Sequence, residues 1–173
     1  MKVGEIMIPI HEVPSVPADA TLADVARLLR QARCKQSDRY PCRAVLVVDS
    51  NGRIVGKIGH LSFLKAVSEA APSAPRRATD LQSPATHSSF LEQTLAECCE
   101  CAGRVEARSA MVPDTICIED ADSIPAAIEV MIHHATLSVF VRRGGTLVGL
   151  LRLADVFEAI AQRLGQEVTA PSA

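Results

Sequence analysis

This chain states one pattern twice, and a repeat of that size fixes the unit of the fold before any single residue is weighed. Residues 6–67 and 110–164 run in the same order. Each copy opens on Met-x-Pro, as Met7-Ile8-Pro9 and Met111-Val112-Pro113. An acidic, hydroxyl-bearing start to an amphipathic run follows, Asp19-Ala20-Thr21-Leu22 and Asp122-Ser123-Ile124. Then come two apolar runs separated by a glycine turn, Asn51-Gly52 in the first copy and Gly144-Gly145 in the second. Both copies close on a short apolar segment, Phe63-Leu64-Lys65-Ala66-Val67 and Val156-Phe157-Glu158-Ala159-Ile160. From the first apolar run onward they align without a gap.

The periodicities assign the elements. Leu22, Val25, Ala26 and Leu29 fall at i, i+3, i+4 and i+7, one face of a helix. Thr21 with Asp24 three residues on reads as a capping-box start, with Asp in place of Glu or Gln. The second copy repeats the spacing with Ile124, Ala127, Ile128 and Met131 behind a Ser123 cap. Pro125 fits there, because its missing N–H falls in the first turn. Asn-Gly and Gly-Gly accept positive φ, which predicts an antiparallel hairpin in each copy. After the hairpins, Phe63, Leu64 and Val67 are expected to face one way, and so are Val156, Phe157, Ile160 and Leu164.

The unit is therefore strand, helix, strand, strand, helix, an α+β arrangement of about 60 residues that alone buries little apolar surface. Two such repeats packed sheet to sheet, as a pseudo-symmetric module, solve that problem. The same logic on the outer surface predicts a homodimer, with Phe157 and Ile160 among the residues it would cover. The expected division is repeat one over 1–69, a connector with a helix over 70–104, repeat two over 105–167 and a tail over 168–173.

Composition removes several function classes. A net charge of −2 gives no basic field for a phosphate backbone. Aromatics at 3% with no Trp leave no stacking platform for single strands, so nucleic acid is not an expected partner. The apolar runs are strand-length and no membrane span is expected. The N-terminal Met-Lys-Val-Gly-Glu-Ile lacks a signal-peptide core, and the six unevenly spaced Cys suit a reducing compartment, so a cytoplasmic protein is expected.

The order Met-x-Pro, acidic cap, helix, hairpin and short helix resembles the CBS domain, named for cystathionine β-synthase. Val47-Val48-Asp49-Ser50-Asn51-Gly52-Arg53-Ile54-Val55-Gly56 is close to that family's wording, and the second copy keeps the pattern without the Asp. The resemblance covers roughly residues 3–68 and 105–165. It implies a tandem pair, or Bateman module, of regulatory type. It also implies clefts between copies that take adenosine-containing ligands such as AMP, ADP, ATP or S-adenosylmethionine.

The family's binding motif, Gly-h-h-Thr/Ser-x-x-Asp, maps onto Gly149-Leu150-Leu151-Arg152-Leu153-Ala154-Asp155 in the second copy. Asp155 takes the ribose position, where a carboxylate accepts from both hydroxyls. The alternative role for Asp155 is a helix N-cap. Arg152 replaces the hydroxyl residue and is expected near phosphate. The first copy reads Gly56-Lys57-Ile58-Gly59-His60-Leu61-Ser62, with Gly59 and Ser62 in place of Thr and Asp. Unequal occupancy follows, with His60 and Ser62 as the ligand-facing residues of copy one.

Two further departures stand out. Residues 34–43, with the only Tyr at position 40, have no counterpart in copy two. They form either a lid beside the first cleft or a surface loop. The connector is rich in Pro, Ser and Ala to about His87, and a helix is expected from Phe90 to about Ala102. Phe90, Leu91, Thr94, Leu95 and Cys98 would form its apolar stripe.

Cys98, Cys99 and Cys101 cluster there. A zinc site needs four convergent ligands and the partner pair is missing, so small half-buried residues are the expectation, and no metal. Cys117 is expected in a strand within the core. His133 and His134 end a helix, where a cation meets the dipole favourably. No nucleophile elbow, Walker loop or dinucleotide fingerprint occurs, and no catalytic residues are assigned.

The expected protein is a stand-alone regulatory or sensor CBS pair acting on an unidentified partner. The rivals are a structural interaction module with empty clefts and a cysteine-based metal or redox sensor.

Overall fold

The computed structural model describes residues 1–31, 43–70 and 87–168, and their side chains except those of 87–94 and 166–168. The readings made on Cys34, Tyr40 and Cys42, on residues 71–86 and on the tail beyond 168 lie outside the described residues. In chain order the elements are a 3₁₀ turn Val3–Glu5, β1 (Ile8–Pro9), a 3₁₀ turn Ile10–Glu12, β2 (Ser15–Pro17), α1 (Leu22–Gln31), β3 (Ala44–Val48) and β4 (Ile54–Gly59). These continue with α2 (His60–Ala70), α3 (His87–Ala102), α4 (Ala107–Ala110), β5 (Val112–Pro113) and β6 (Cys117–Glu119). The last are α5 (Ile124–His133), β7 (Ser138–Arg143), β8 (Thr146–Arg152) and α6 (Leu153–Val168).

The local chemistry behaves as the residues dictate. Thr21 N–H and Oγ1 both donate to Asp24 Oδ2, at 3.2 and 2.8 Å, and Asp24 N–H donates back to Thr21 Oγ1 at 3.3 Å. The Thr21 side-chain and backbone bonds hold the Asp24 carboxyl below the usual carboxylate range. Ser123 Oγ accepts from Ala126 N–H at 3.4 Å, with Pro in the first turn of α5.

The two hairpins close differently. Gly144 and Gly145 both take positive φ, at 56° and 83°. In copy one, among the described residues, Gly52 alone of Asn51-Gly52 does so, at 75°. There Asp49 braces a longer loop, its Oδ1 accepting from Asn51 and Arg53 N–H groups at 2.9 Å each. Copy two has no Asp here and turns on its two glycines, a turn that needs no such brace.

Each repeat forms a four-stranded mixed sheet, in the orders β1-β8-β7-β6 and β2-β3-β4-β5. The edge strands are exchanged. The Met-x-Pro strand of copy one, β1, pairs antiparallel with β8 of copy two, through Ile8–Leu150 and Pro9–Gly149. The Met-x-Pro strand of copy two, β5, pairs with β4 of copy one, through Gly56–Pro113 and Lys57–Val112. The chain accordingly clusters into one compact unit of residues 1–13 and 114–168 and another of 14–31, 43–70 and 87–113.

Both units have their own core. One gathers Val3, Ile118, Ile124, Ala127, Met131, Val139, Val141, Leu151 and Val156. Val3 reaches it because its N–H donates to Asp122 O at 3.0 Å, carrying the N-terminal segment onto repeat two. The other gathers Val16, Leu22, Val25, Val45, Val47, Ile58, Ala102, Ala107 and Ala110. Its tie is Leu22 N–H donating to Val105 O at 2.9 Å.

Some faces differ from the expectation. Phe63 and Val67 pack on the core, whereas Leu64 is exposed; Val156 is buried, whereas Phe157 points outward. Adjacent helical residues sit 100° apart, so each of these neighbouring pairs splits between core and surface. Leu95 of α3 is exposed while Cys98 is buried, so Leu95 leaves the expected stripe. Cys117 lies in its strand as expected, but it is exposed and Ile118 faces the core, as strand alternation requires.

The exchange explains two glycines. A Cβ on Gly149 would lie 2.5 Å from Met7 Sδ and 2.8 Å from Ile8 O. On Gly56 it would lie 2.8 Å from Met111 Sδ and 2.7 Å from Val112 O. The methionine of each Met-x-Pro seats on the glycine of the sheet it joins. Gly149→Ala is expected to destabilise by about 1–3 kcal/mol through overpacking against backbone. Gly165→Ala, where a Cβ meets nothing within 4 Å, is expected to be neutral or stabilising. Urea midpoints of the two variants against the parent chain check this.

Candidate functional site at the strand to helix turns

In each repeat the second hairpin strand runs directly into a helix, so the turn residues stand at the end of an inner strand and at a helix N-terminus together. In repeat two, β8 extends to Arg152, paired across the ladder with Ser138, and α6 begins at the next residue. Leu153 N–H donates to Leu137 O at 2.9 Å and fixes the turn. Arg152 and Asp155 are each only 6% exposed. They meet as a fork: Arg152 Nε donates to Asp155 Oδ2 at 2.7 Å and Nη2 to Oδ1 at 2.5 Å. Bidentate pairing of this kind is among the stronger side-chain contacts. Asp155 lies inside the first turn of α6, where a carboxylate is favoured by the helix dipole. It is not the N-cap, because the helix starts two residues before it.

In repeat one the same turn is small and neutral. Gly59 N–H donates to Ser62 Oγ at 3.0 Å, and that hydroxyl donates back to Gly59 O at 3.2 Å. His60 is the first residue of α2 and is exposed. The structure thus brings Arg152 to Asp155 and Ser62 to Gly59.

One charged residue of this region escaped the sequence reading. Lys57, on β4 between Leu46 and Val112, is 3% exposed. Burial pulls its ammonium down from 10.5 to about 8. The signal was available in the repeat alignment, which sets Lys57 against Leu150, a fully buried leucine. In isolation, Lys57 reads as one polar residue in an alternating strand.

Cys98 is buried, Cys101 half-buried and Cys99 exposed on α3. Among the described residues no group of three His, Cys, Asp or Glu side chains gathers as metal ligands would. His133 ends α5 and His134 caps it, their rings edge to face with centroids 4.8 Å apart. Among the described residues no helix is long and apolar enough to cross a membrane.

Comparison with known proteins gives the fold its family. The CBS domain profile matches residues 3–69 and 107–162. No match is found among curated protein sequences. Among solved structures, the chain is similar to the CBS-pair protein CBSX2 from Arabidopsis thaliana, at 18% identity and a TM-score of 0.62, covering 94% of this chain and 95% of that one. It is similar to CBSX2 crystallised in complex with AMP, at 18% identity and a TM-score of 0.58, with 94% and 97% covered. It also resembles the CBS-domain containing protein ATU1752 from Agrobacterium tumefaciens, at 20% identity and a TM-score of 0.58, with 86% and 84% covered. With more than half its length matched, as two repeats that each form a four-stranded mixed sheet, this chain belongs to the CBS-domain family as a tandem pair.

Proposed function

We propose that this CBS pair is a regulatory sensor rather than an enzyme. It binds an adenosine-containing ligand, of the AMP, ADP, ATP or S-adenosylmethionine class, at the β8–α6 turn of repeat two. It acts on a partner protein as a homodimer. The observation that carries the reading is the charged pair Arg152 and Asp155 standing at the motif positions, against Gly59 and Ser62 in repeat one. Each carboxylate oxygen keeps lone-pair capacity beyond its bond to Arg152, enough to accept from a ribose hydroxyl. A guanidinium fork suits phosphate as well as carboxylate. The crystallisation of a distantly similar protein, CBSX2, with AMP supports this ligand class.

One observation favours a second reading. Arg152 and Asp155 already satisfy each other, as a purely structural latch between β8 and α6 would. In that case the protein is an interaction module without a ligand.

A thermal-shift series against the four ligands separates the two. Ligand at about 100 times its dissociation constant adds roughly 2.7 kcal/mol. That moves the midpoint by about 5–11 °C in a chain of this size. Asp155→Ala should lose the ligand-induced shift and Ser62→Ala should keep most of it, each compared with its own ligand-free midpoint. An unchanged shift in Asp155→Ala refutes the ribose assignment. No shift with any of the four selects the interaction module.

A further inference from the structure

The chain has four methionines, in three different environments. Met1 is 49% exposed, Met131 is 3% exposed within one of the two cores, and Met7 and Met111 are half-buried. The half-buried two hold equivalent places. Met7 Sδ and Cγ lie 2.5 and 3.0 Å from the point where Gly149 would carry a Cβ. Met111 Sδ and Cγ lie 2.8 and 3.1 Å from the same point on Gly56. Each thioether thus fills the place that a side chain would take on its glycine. Each also packs on the core of the sheet that its strand joins.

These seats matter because the strands beside them are short. β1 and β5 have two residues each, and the second is a proline, which has no N–H to give the ladder. The seated methionine therefore supplies much of the hold on each exchanged strand.

A methionine sulfur is open to two-electron oxidation, and half-burial leaves part of each side chain within reach of a small oxidant. The sulfur lone pair attacks the terminal oxygen of a hydroperoxide. A sulfur–oxygen bond forms as the oxygen–oxygen bond breaks. The proton moves to the departing oxygen, so the thioether becomes a sulfoxide and the peroxide is reduced to water or an alcohol. The product is polar and larger by one oxygen. The seat suits neither property. Glycine backbone closes it on one side, and the carbonyl that shares it, Ile8 O or Val112 O, is an acceptor that offers a sulfoxide no donor. A polar group held there without a hydrogen bond costs stability. We propose that Met7 and Met111 are a matched pair of oxidation sites, at which a hydroperoxide unseats the exchanged strands and a methionine sulfoxide reductase restores them.

Peptide mass spectrometry of the parent chain during treatment with dilute hydrogen peroxide gives the first test. Met7 and Met111 should gain oxygen well ahead of Met131. A thiol reductant is then added, which returns reversibly oxidised cysteines and leaves sulfoxides in place. Tm should have fallen by at least about 4 °C. The two reductases, one for each sulfoxide epimer, should bring it back. That recovery is read on the parent chain and does not depend on any variant folding. The double variant Met7→Leu with Met111→Leu keeps the apolar volume. It should hold its own Tm through the same treatment, although its Met1 and cysteines meet the same peroxide. Oxidation of Met131 as fast as Met7 and Met111 overturns the two sites. Oxidised Met7 and Met111 with an unchanged Tm, or with a fall that the double variant shares, overturns the unseating. So does a fall that persists once the reductases have returned both methionines.

Discussion

Asp155→Ala is expected to lower stability by about 3–5 kcal/mol, because it removes the carboxylate to which the buried Arg152 donates through both Nε and Nη2. In a chain of this length that is a fall of roughly 6–20 °C in Tm. Loss of a helix cap would cost only about 1 kcal/mol, so the size of the fall identifies the mechanism. The double variant Arg152→Met with Asp155→Leu should recover most of it, since a buried ion pair and a well-packed apolar pair of similar volume differ little. Urea denaturation of the three chains checks both statements. A single variant within about 1 kcal/mol of the parent would show that no buried charge pair holds this turn.

Lys57→Met is expected to act in the other direction. Moving the Lys57 ammonium from 10.5 to about 8 corresponds to roughly 3 kcal/mol of disfavoured charge in the folded state. Methionine keeps the stem and removes the ammonium, and the equivalent position in repeat two is already filled by Leu150. A gain at neutral pH should follow, of at most about 3 kcal/mol, because methionine also gives up the interaction that Lys57 makes. The pH dependence has a definite sign. Between about 8 and 10.5 the unfolded chain holds this proton and the folded chain does not, so this group makes stability rise with pH there. The penalty is fully present below pH 8 and relieved as pH approaches 10.5. The advantage of Lys57→Met should therefore be flat below pH 8 and shrink above it. A gap between the two chains that stays constant to pH 10.5 would refute burial as the cause.

Much of the architecture was legible because it rests on local rules. Helical spacing placed α1 and α5, Thr21 and Ser123 marked their starts, and the glycine turns located both hairpins. What stayed hidden depends on partners distant in sequence. A two-residue strand such as Ile8–Pro9 carries no period, so nothing in it names β8 as its neighbour. The candidate site shows the same division. The motif positions of Arg152 and Asp155 were readable, but their mutual fork was not, because a spacing of three residues permits contact without requiring it. Phe157 was grouped on one face with Val156, and Leu64 and Leu95 with their apolar neighbours, because apolarity alone does not say which way a residue turns.

The exchanged strands also decide where this molecule can be divided and what can pass through it. Cutting between the repeats as written would strip each sheet of an edge and one core of Val3. The described chain crosses from one unit to the other at Val13–Pro14 and at Pro113–Asp114, both beside a proline of fixed φ. Each Met-x-Pro segment thus joins one sheet and leads, past a proline, into the other unit. One end seats on the glycine of a hairpin strand, Gly149 or Gly56, and the other continues into the opposite unit. Gly149 stands three residues before Arg152, so the strand that carries the candidate pair is also the one on which the segment leading into repeat one is seated. What joins the two units at those points is continuous backbone.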